Sequence, residues 1–139
     1  MPDDSVESKG IDYRLNPQPP NDALNELYFI SWPAHVIGED FAPVLEQCLA
    51  HVCAYHGERL IGFVKVAWDG RQHAFLLDPT VHPDYRHRGI GLELVRSAAA
   101  ASRDAGCETL HVDYTPDLAP FYEACGFKPT AAGLMDLTR

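Results

Sequence analysis

The sequence is short of positive charge and of long apolar runs. Its 139 residues include 11 lysines and arginines against 20 aspartates and glutamates, a formal net charge of −9. Nucleic acid binding needs a basic face that meets the phosphates, so this balance argues against a nucleic acid partner. No stretch approaches the roughly 18 uninterrupted apolar residues that a membrane-spanning helix needs, so no membrane partner is expected either.

The first residues lack the pattern of a secretory signal. Such a signal starts with basic residues and continues into an apolar segment, whereas Asp3, Asp4 and Glu7 make this start acidic. We therefore expect residues 1–9 to form a flexible acidic segment, residues 10–139 to form a single domain, and the protein to be cytoplasmic.

Metal-binding spacings are also missing. The four cysteines, Cys48, Cys53, Cys107 and Cys125, show no zinc-type pairing and lie within apolar or helical patterns, which favours buried free thiols. The seven histidines form no i, i+4 pair with a nearby acid on one helix face. No metal is predicted.

What the sequence does contain is a succession of short strand and helix patterns. Period-two alternation and turn residues predict strands over 10–15, 51–56, 60–68, 71–81 and 109–115, with one or two closing strands after Phe127. Apolar spacing of three and four predicts helices over 21–32, 41–49, 90–105 and 118–125. The expected α/β (α+β) architecture is a mixed, mainly antiparallel twisted sheet of six to seven strands with about four helices on both faces.

The stretch from Val81 to Val95 predicts an anion-binding loop. A strand ends there, the chain turns, and Gly89 and Gly91 open a helix whose first N–H groups are unpaired. Positive character comes from the side chains of Arg86, Arg88, His82 and His87. The simpler alternative is a strand-to-helix connection whose glycines serve only as turn residues. Neither the dinucleotide fingerprint nor the P-loop spacing is present.

Arg86, Gly89 and Gly91 match the Arg/Gln-x-x-Gly-x-Gly/Ala motif of the GNAT superfamily of acyl-CoA-dependent N-acetyltransferases, which the sequence resembles from about His51 to Phe127. The resemblance implies acetyl-CoA as co-substrate, with its pyrophosphate on this loop and its pantetheine arm along the preceding strand end. The residues thereby implied to bind the cofactor are Pro79, Thr80, Val81, Arg86, His87, Arg88, Gly89, Ile90, Gly91 and Leu92.

A second segment, Phe121 to Phe127, is similar to the part of the family in which a tyrosine protonates the departing thiolate. That residue is Tyr122 here, and the alternative is a packed aromatic whose hydroxyl bonds to backbone. The sequence departs from the family at Thr115, where asparagine is frequent, and at Leu118, where a small residue is usual. The oxyanion is expected to meet the amides of Thr80 and Val81, where the family's strand bulges.

The general base is left open among His73, Asp78, His111 and Asp113. Period two puts His73 on the strand face opposite Asp78. Asp78 and Asp113 are placed ahead because both lie near the carboxyl ends of parallel strands, where sites on α/β sheets open. A solvated or hydrogen-bonded structural role is the alternative for each of the four residues.

The resulting hypothesis is an enzyme that transfers acetyl from acetyl-CoA directly to a primary amine of a small molecule or protein, in a ternary complex. A CoA-binding sensor or partner module without turnover is the alternative from another class, and a purely structural domain is a third. Tyr28, Trp32 and Phe41 are candidates either for the acceptor pocket or for the core. Exposed strands at the C-terminus are compatible with a homodimer.

Overall fold

A five-stranded sheet runs through the part of the chain that the computed structural model describes, residues 10 to 32, 34, 35 and 37 to 138. The predicted flexible segment 1–9 lies outside these residues. The strands follow one another in space as in the chain, antiparallel from β1 to β4, with β5 parallel to β4. They are β1 (Ile11–Leu15), β2 (Ala50–His56), β3 (Arg59–Trp68), β4 (His73–Val81) and β5 (Thr109–His111).

Four helices accompany the sheet in the described residues, as predicted in number. They are α1 (Asn21–Ser31), α2 (Ala42–Gln47), α3 (Ile90–Asp104) and α4 (Ala119–Ala124), with 3-10 turns at Pro83–Tyr85 and Pro116–Leu118. The second helix is shorter than the predicted 41–49, because Cys48 is already extended. The mixed, mainly antiparallel architecture is confirmed.

Each face of the sheet carries its own core. The buried stripe of α3, which includes Ile90, Leu94 and Ala98, packs on alternate residues of the central strands, such as Val64 and Leu76. On the opposite face, the buried residues of α1 pack with the intervening strand residues and with the residue that precedes α2. That second core contains Leu24, Leu27, Tyr28, Phe41, Cys53, Tyr55, Leu60 and Phe63. The period of two in the strands separates the two cores.

The sheet has five strands in the described residues, and the expected six to seven were wrong. β5 ends at His111 rather than at residue 115, and no strand forms between 127 and 138. The predicted closing residues Leu134 and Leu137 are each 83% exposed, so no apolar face holds that segment against the sheet. The homodimer expected from C-terminal strands stays a prediction.

Candidate active site

The loop between β4 and α3 ends at the N-terminus of α3, whose first backbone N–H groups are free to bind a ligand. A 3-10 turn at Pro83–Tyr85 redirects the chain, and Gly89, with a φ of +79°, is the N-cap of α3. Glycine adopts positive φ at little cost, whereas most L side chains are strained there. The amides of Gly89 and of the first helical residues have no partner within the helix, and the helix dipole adds partial positive charge at the same point. This arrangement suits a bound anion.

A cavity of about 500 Å³ opens against this helix start. The strand end, the loop, both α3 and α4, and the end of α1 contribute to its wall. Arg88 is the one predicted cofactor residue that does not line it, and its guanidinium carbon lies 5.1 Å from the centre of the Tyr85 ring. The other nine do line it: Pro79, Thr80, Val81, Arg86, His87, Gly89, Ile90, Gly91 and Leu92.

The end of β4 offers a backbone amide to the same cavity. Arg86 donates from Nε to the Val81 carbonyl at 3.2 Å, so this carbonyl points away from β3. The N–H of a strand residue points to the same side as its carbonyl, so the Val81 amide also points away from β3. His82 donates its amide to Ile61 of β3, and the alternation of the ladder directs the Thr80 amide to β3 as well. Of the two predicted oxyanion donors, Val81 is the one turned away from the sheet.

β4 and β5 separate before they reach the cavity. Their pairing ends at Phe75 and His111. Beyond that point β4 bulges at Asp78 and Pro79, which together oppose one residue of β3. Proline cannot donate to a ladder, so the strand beyond it cannot pair regularly on that side. We call the gap between the two diverging strand ends the fork, and the cavity lies at its open end.

Tyr122 of α4 lines the cavity although only 5% of its surface is exposed. Its ring stacks on Tyr114 with the centroids 4.7 Å apart and meets Phe121 edge to face at 5.0 Å. Burial, with smaller contributions from Cys125 and Asp113, raises the pKa of Tyr122 to about 12. The hydroxyl therefore keeps its proton over the physiological range, as a proton donor requires.

The two predicted catalytic carboxylates do not line the cavity. Asp113 is exposed in the irregular segment that follows β5. Asp78 Oδ2 accepts a hydrogen bond from the Tyr28 hydroxyl at 3.0 Å and forms a salt bridge with Lys65 Nζ at 3.1 Å. The expectation that Asp78 lies on the face opposite His73 was wrong, because the extra residue of the bulge turns Asp78 to the α1 face.

The two histidine candidates lie at the closed end of the fork. His73 Nδ1 and His111 Nε2 are 2.9 Å apart, and the His111 ring stacks on Phe75 at 4.6 Å. Both histidines belong to the only pairs that join β4 to β5 in the described residues. Neither histidine lines the cavity, and their contacts hold the two strands together where the fork begins.

Several cavity residues were not singled out from the sequence. Tyr85 and Phe121 bring aromatic rings, and Ser31 and Ala124 come from the ends of α1 and α4. The Ser31 hydroxyl is buried without a hydrogen-bond partner in the described residues. Of the three aromatics left open between pocket and core, Trp32 lines the cavity, whereas the other two are buried in the α1-side core.

Thiols and metal ligands do not gather at the cavity. All four cysteines are free, and burial raises the pKa of the Cys53 thiol to about 12. The described part of the chain contains no group of three His, Cys, Asp or Glu residues that could hold a metal. Within that same part, every helix is too short or too polar to cross a membrane.

The comparison with protein families gives one match over most of the chain. The model of the acetyltransferase (GNAT) family matches residues 16 to 127. Among curated proteins, a probable glucosamine 6-phosphate N-acetyltransferase 2 from Oryza sativa subsp. japonica is 29% identical over 92 residues, covering 66% of this chain and 52% of the rice protein. The chain spans about half the length of this relative, and less than half of the other curated relatives that it matches.

Solved structures share the fold at low sequence identity. A GNAT family acetyltransferase from Streptococcus pneumoniae TIGR4 superposes with a TM-score of 0.77 at 21% identity, over 93% of this chain and 98% of that one. An aminoglycoside N-acetyltransferase solved in complex with CoA gives a TM-score of 0.75 at 22% identity, over 93% and 95% of the two chains. These similarities show the fold.

Proposed function

Because the chain belongs to the acetyltransferase (GNAT) family, we propose that it transfers the acetyl group of acetyl-CoA directly to a primary amine in a ternary complex. The observation that carries this proposal is the cavity itself. A helix start, a strand amide turned away from its sheet and a buried protonated tyrosine line one volume of about 500 Å³. The helix start suits a bound phosphate, and the other two elements are the oxyanion donor and the proton donor that acyl transfer from a thioester uses.

The cofactor is held by backbone in this proposal. The pyrophosphate lies on the amides of Gly89 and the first turn of α3, where the guanidinium of Arg86 adds a positive charge. The pantetheine arm runs along Pro79 to Val81, whose unpaired edge faces the fork. The acetyl thioester is thereby brought towards Tyr122.

The chemistry then follows from the groups at the end of the cavity. The neutral amine attacks the thioester carbon, and the carbonyl oxygen of the tetrahedral intermediate accepts a hydrogen bond from the Val81 amide. The carbon–sulfur bond breaks as Tyr122 gives its proton to the thiolate. The attacking nitrogen loses one proton to solvent, because neither predicted carboxylate lines the cavity. Tyr122 regains a proton, so the net products are the amide and CoA thiol.

The acceptor class is a further part of the proposal. The rice relative is named for glucosamine 6-phosphate and one structural neighbour for aminoglycosides, which makes amino sugars the first acceptors to examine. The panel we would use contains glucosamine 6-phosphate, an aminoglycoside, spermidine and a lysine-containing peptide, with thiol release from acetyl-CoA as the measurement.

A Tyr122→Phe variant tests catalysis against binding without turnover. We expect thiol release to slow by about 100-fold, because a positioned general acid contributes roughly 10²- to 10⁴-fold. The affinity for CoA, measured by calorimetry, should stay within about twofold because the loop is untouched.

The matched control is Tyr114→Phe, which removes a hydroxyl from the ring stacked on Tyr122 and outside the cavity-lining set. It should release thiol at the wild-type rate. Equal rates for Tyr122→Phe and the wild type would remove the assignment of Tyr122 and favour the sensor alternative. A wild-type protein that binds no CoA would end the proposal.

A further inference from the structure

The bulge in β4 lies shortly before Val81 and determines the orientation of the Val81 N–H group. Between the pairs Lys65–Leu77 and Phe63–Thr80, β4 has two residues where β3 has one. Asp78 adopts a φ of +54° there. This left-handed conformation is strained for most L residues, and aspartate and asparagine tolerate it better than others. A strained bulge keeps its geometry only when its surroundings hold it.

Two side chains hold the bulge through the carboxylate of Asp78. Lys65 Nζ reaches Oδ2 from the neighbouring strand at 3.1 Å, and the Tyr28 hydroxyl reaches the same oxygen from α1 at 3.0 Å. The Lys65 side chain is only 15% exposed, and Asp78 is its salt-bridge partner among the described residues, so loss of this carboxylate would leave a largely buried charge without compensation. Burial, and then the negative charge of Asp78, raise the pKa of Tyr28, which therefore remains a hydrogen-bond donor.

Other contacts of Tyr28 connect the bulge to the part of the cavity wall at the end of α1. Tyr28 is packed in α1 against Trp32, with the ring centroids 5.0 Å apart, and against Phe63 of β3 at 5.8 Å. Trp32 follows the last residue of α1 and lines the cavity together with Ser31. A shift of Asp78 would therefore move the strand end relative to the end of α1.

We propose that Tyr28, Lys65 and Asp78 form a bulge clamp that sets the direction of the Val81 amide, and that all three are positioning residues for acetyl transfer. This inference rests on the proposed function. It gives Asp78 a role other than the acceptance of a proton from the amine. The clamp acts on the thioester end of the cofactor and leaves the pyrophosphate loop, residues 82–89 and the first turn of α3, unaffected.

The first measurement follows the Val81 amide itself. In protein labelled with ¹⁵N-valine, with the Val81 resonance assigned by a Val81→Ile variant, the amide proton should move downfield with acetyl-CoA relative to CoA, because only acetyl-CoA carries the thioester oxygen. The variants Tyr28→Phe, Lys65→Met and Asp78→Asn should each reduce this difference to less than about half of the wild-type value. Their CoA affinity should change by less than about twofold.

The second measurement separates positioning from proton transfer. For the most active amine of the panel, kcat should fall by about tenfold in each variant with KM for acetyl-CoA unchanged, since misplacement of about 1 Å costs up to roughly 100-fold. The pH profile of Asp78→Asn should keep the wild-type shape. Asparagine tolerates the positive φ, so this variant removes the charge without the backbone strain of other substitutions.

A double variant tests whether Lys65 and Asp78 act as a pair. Asp78→Asn leaves the Lys65 ammonium uncompensated, so the double variant with Lys65→Met should be no less stable in urea than Asp78→Asn alone.

Three results would overturn the clamp: an unchanged Val81 shift difference in all variants, a pH profile of Asp78→Asn that loses its acidic limb, or losses in Tm with kcat unaltered. Absence of CoA binding by the wild-type protein would instead remove the proposed function, and the positioning role with it.

Discussion

The loop at the start of α3 and the bulge clamp differ in how they are built. The loop lines the cavity, whereas the three clamp residues do not. The loop comes from consecutive residues, and in the proposed function it acts mainly through backbone amides at Gly89 and its neighbours. The clamp joins side chains from three elements, and Tyr28 and Asp78 are 50 residues apart in the chain. A site built from backbone amides depends on the backbone dihedral angles and tolerates substitution of its side chains. A site built from side chains is instead sensitive to substitution of those side chains.

The largest effect should come from a change of backbone freedom in the loop. Gly89→Val places a β-branched residue at a φ of +79° and, in the proposed function, adds a side chain beside the amides that hold the pyrophosphate. We expect a loss of CoA affinity of about 2 to 3 kcal/mol, roughly 30- to 150-fold, by calorimetry.

Gly106→Val is the matched control for that substitution. Gly106 follows the other end of α3 with a φ of +93°, and a Cβ there would meet nothing within 4 Å. This variant should lose stability through the same backbone strain and keep the wild-type affinity for CoA. Equal losses of affinity in the two variants would show that global strain, rather than the phosphate contact, causes the effect.

A side-chain change at the same loop should cost much less. Arg86→Gln removes the positive charge and keeps a side-chain donor, as the Arg/Gln alternative of the family motif permits. We expect CoA affinity to fall by about three- to fivefold at low salt, and by less in 0.5 M salt, since screening already weakens the charge. A loss as large as that of Gly89→Val would contradict a backbone-built site.

The smallest effect concerns pH and comes from two buried tyrosines, Tyr122 in the cavity wall and Tyr28 in the clamp. Burial is the main cause that raises the pKa of Tyr122 to about 12, and it also raises the pKa of Tyr28. Both values lie above the ordinary value of 10, so the stability that depends on these protons is complete below pH 10 and is lost as pH rises beyond it. Thiol release should therefore show no decline between pH 8 and about 10.

Urea unfolding at pH 8, 10 and 11.5 measures the same linkage. The wild-type protein should lose stability only in the last step, and Tyr122→Phe should lose less than the wild type there. A fall of activity with a midpoint near pH 9 in the wild type alone would contradict the raised pKa.

The loop could be predicted from the sequence because the residues that form it are close together in the chain. Arg86, Gly89 and Gly91 lie within six residues, directly after a strand and at the start of a helix, and nine of the ten residues predicted to bind the cofactor line one cavity. The order of the central strands was equally accessible, since short turns force consecutive strands to pair.

The clamp could not be predicted, because it depends on register. One extra residue at Asp78 transfers that side chain to the opposite face, and a period-two pattern contains no trace of such a shift. Lys65 then becomes its partner through a contact that only the three-dimensional arrangement creates. The closing strands were overpredicted for a related reason, because Leu134 and Leu137 have a strand-like composition and no surface to pair with.

The fork has a consequence for how two molecules can share the protein. A sheet normally separates what lies on its two faces, but beyond Phe75 and His111 no ladder joins the last two strands. In the proposed function, this gap lets acetyl-CoA and the amine occupy the protein at the same time, as transfer in a ternary complex requires.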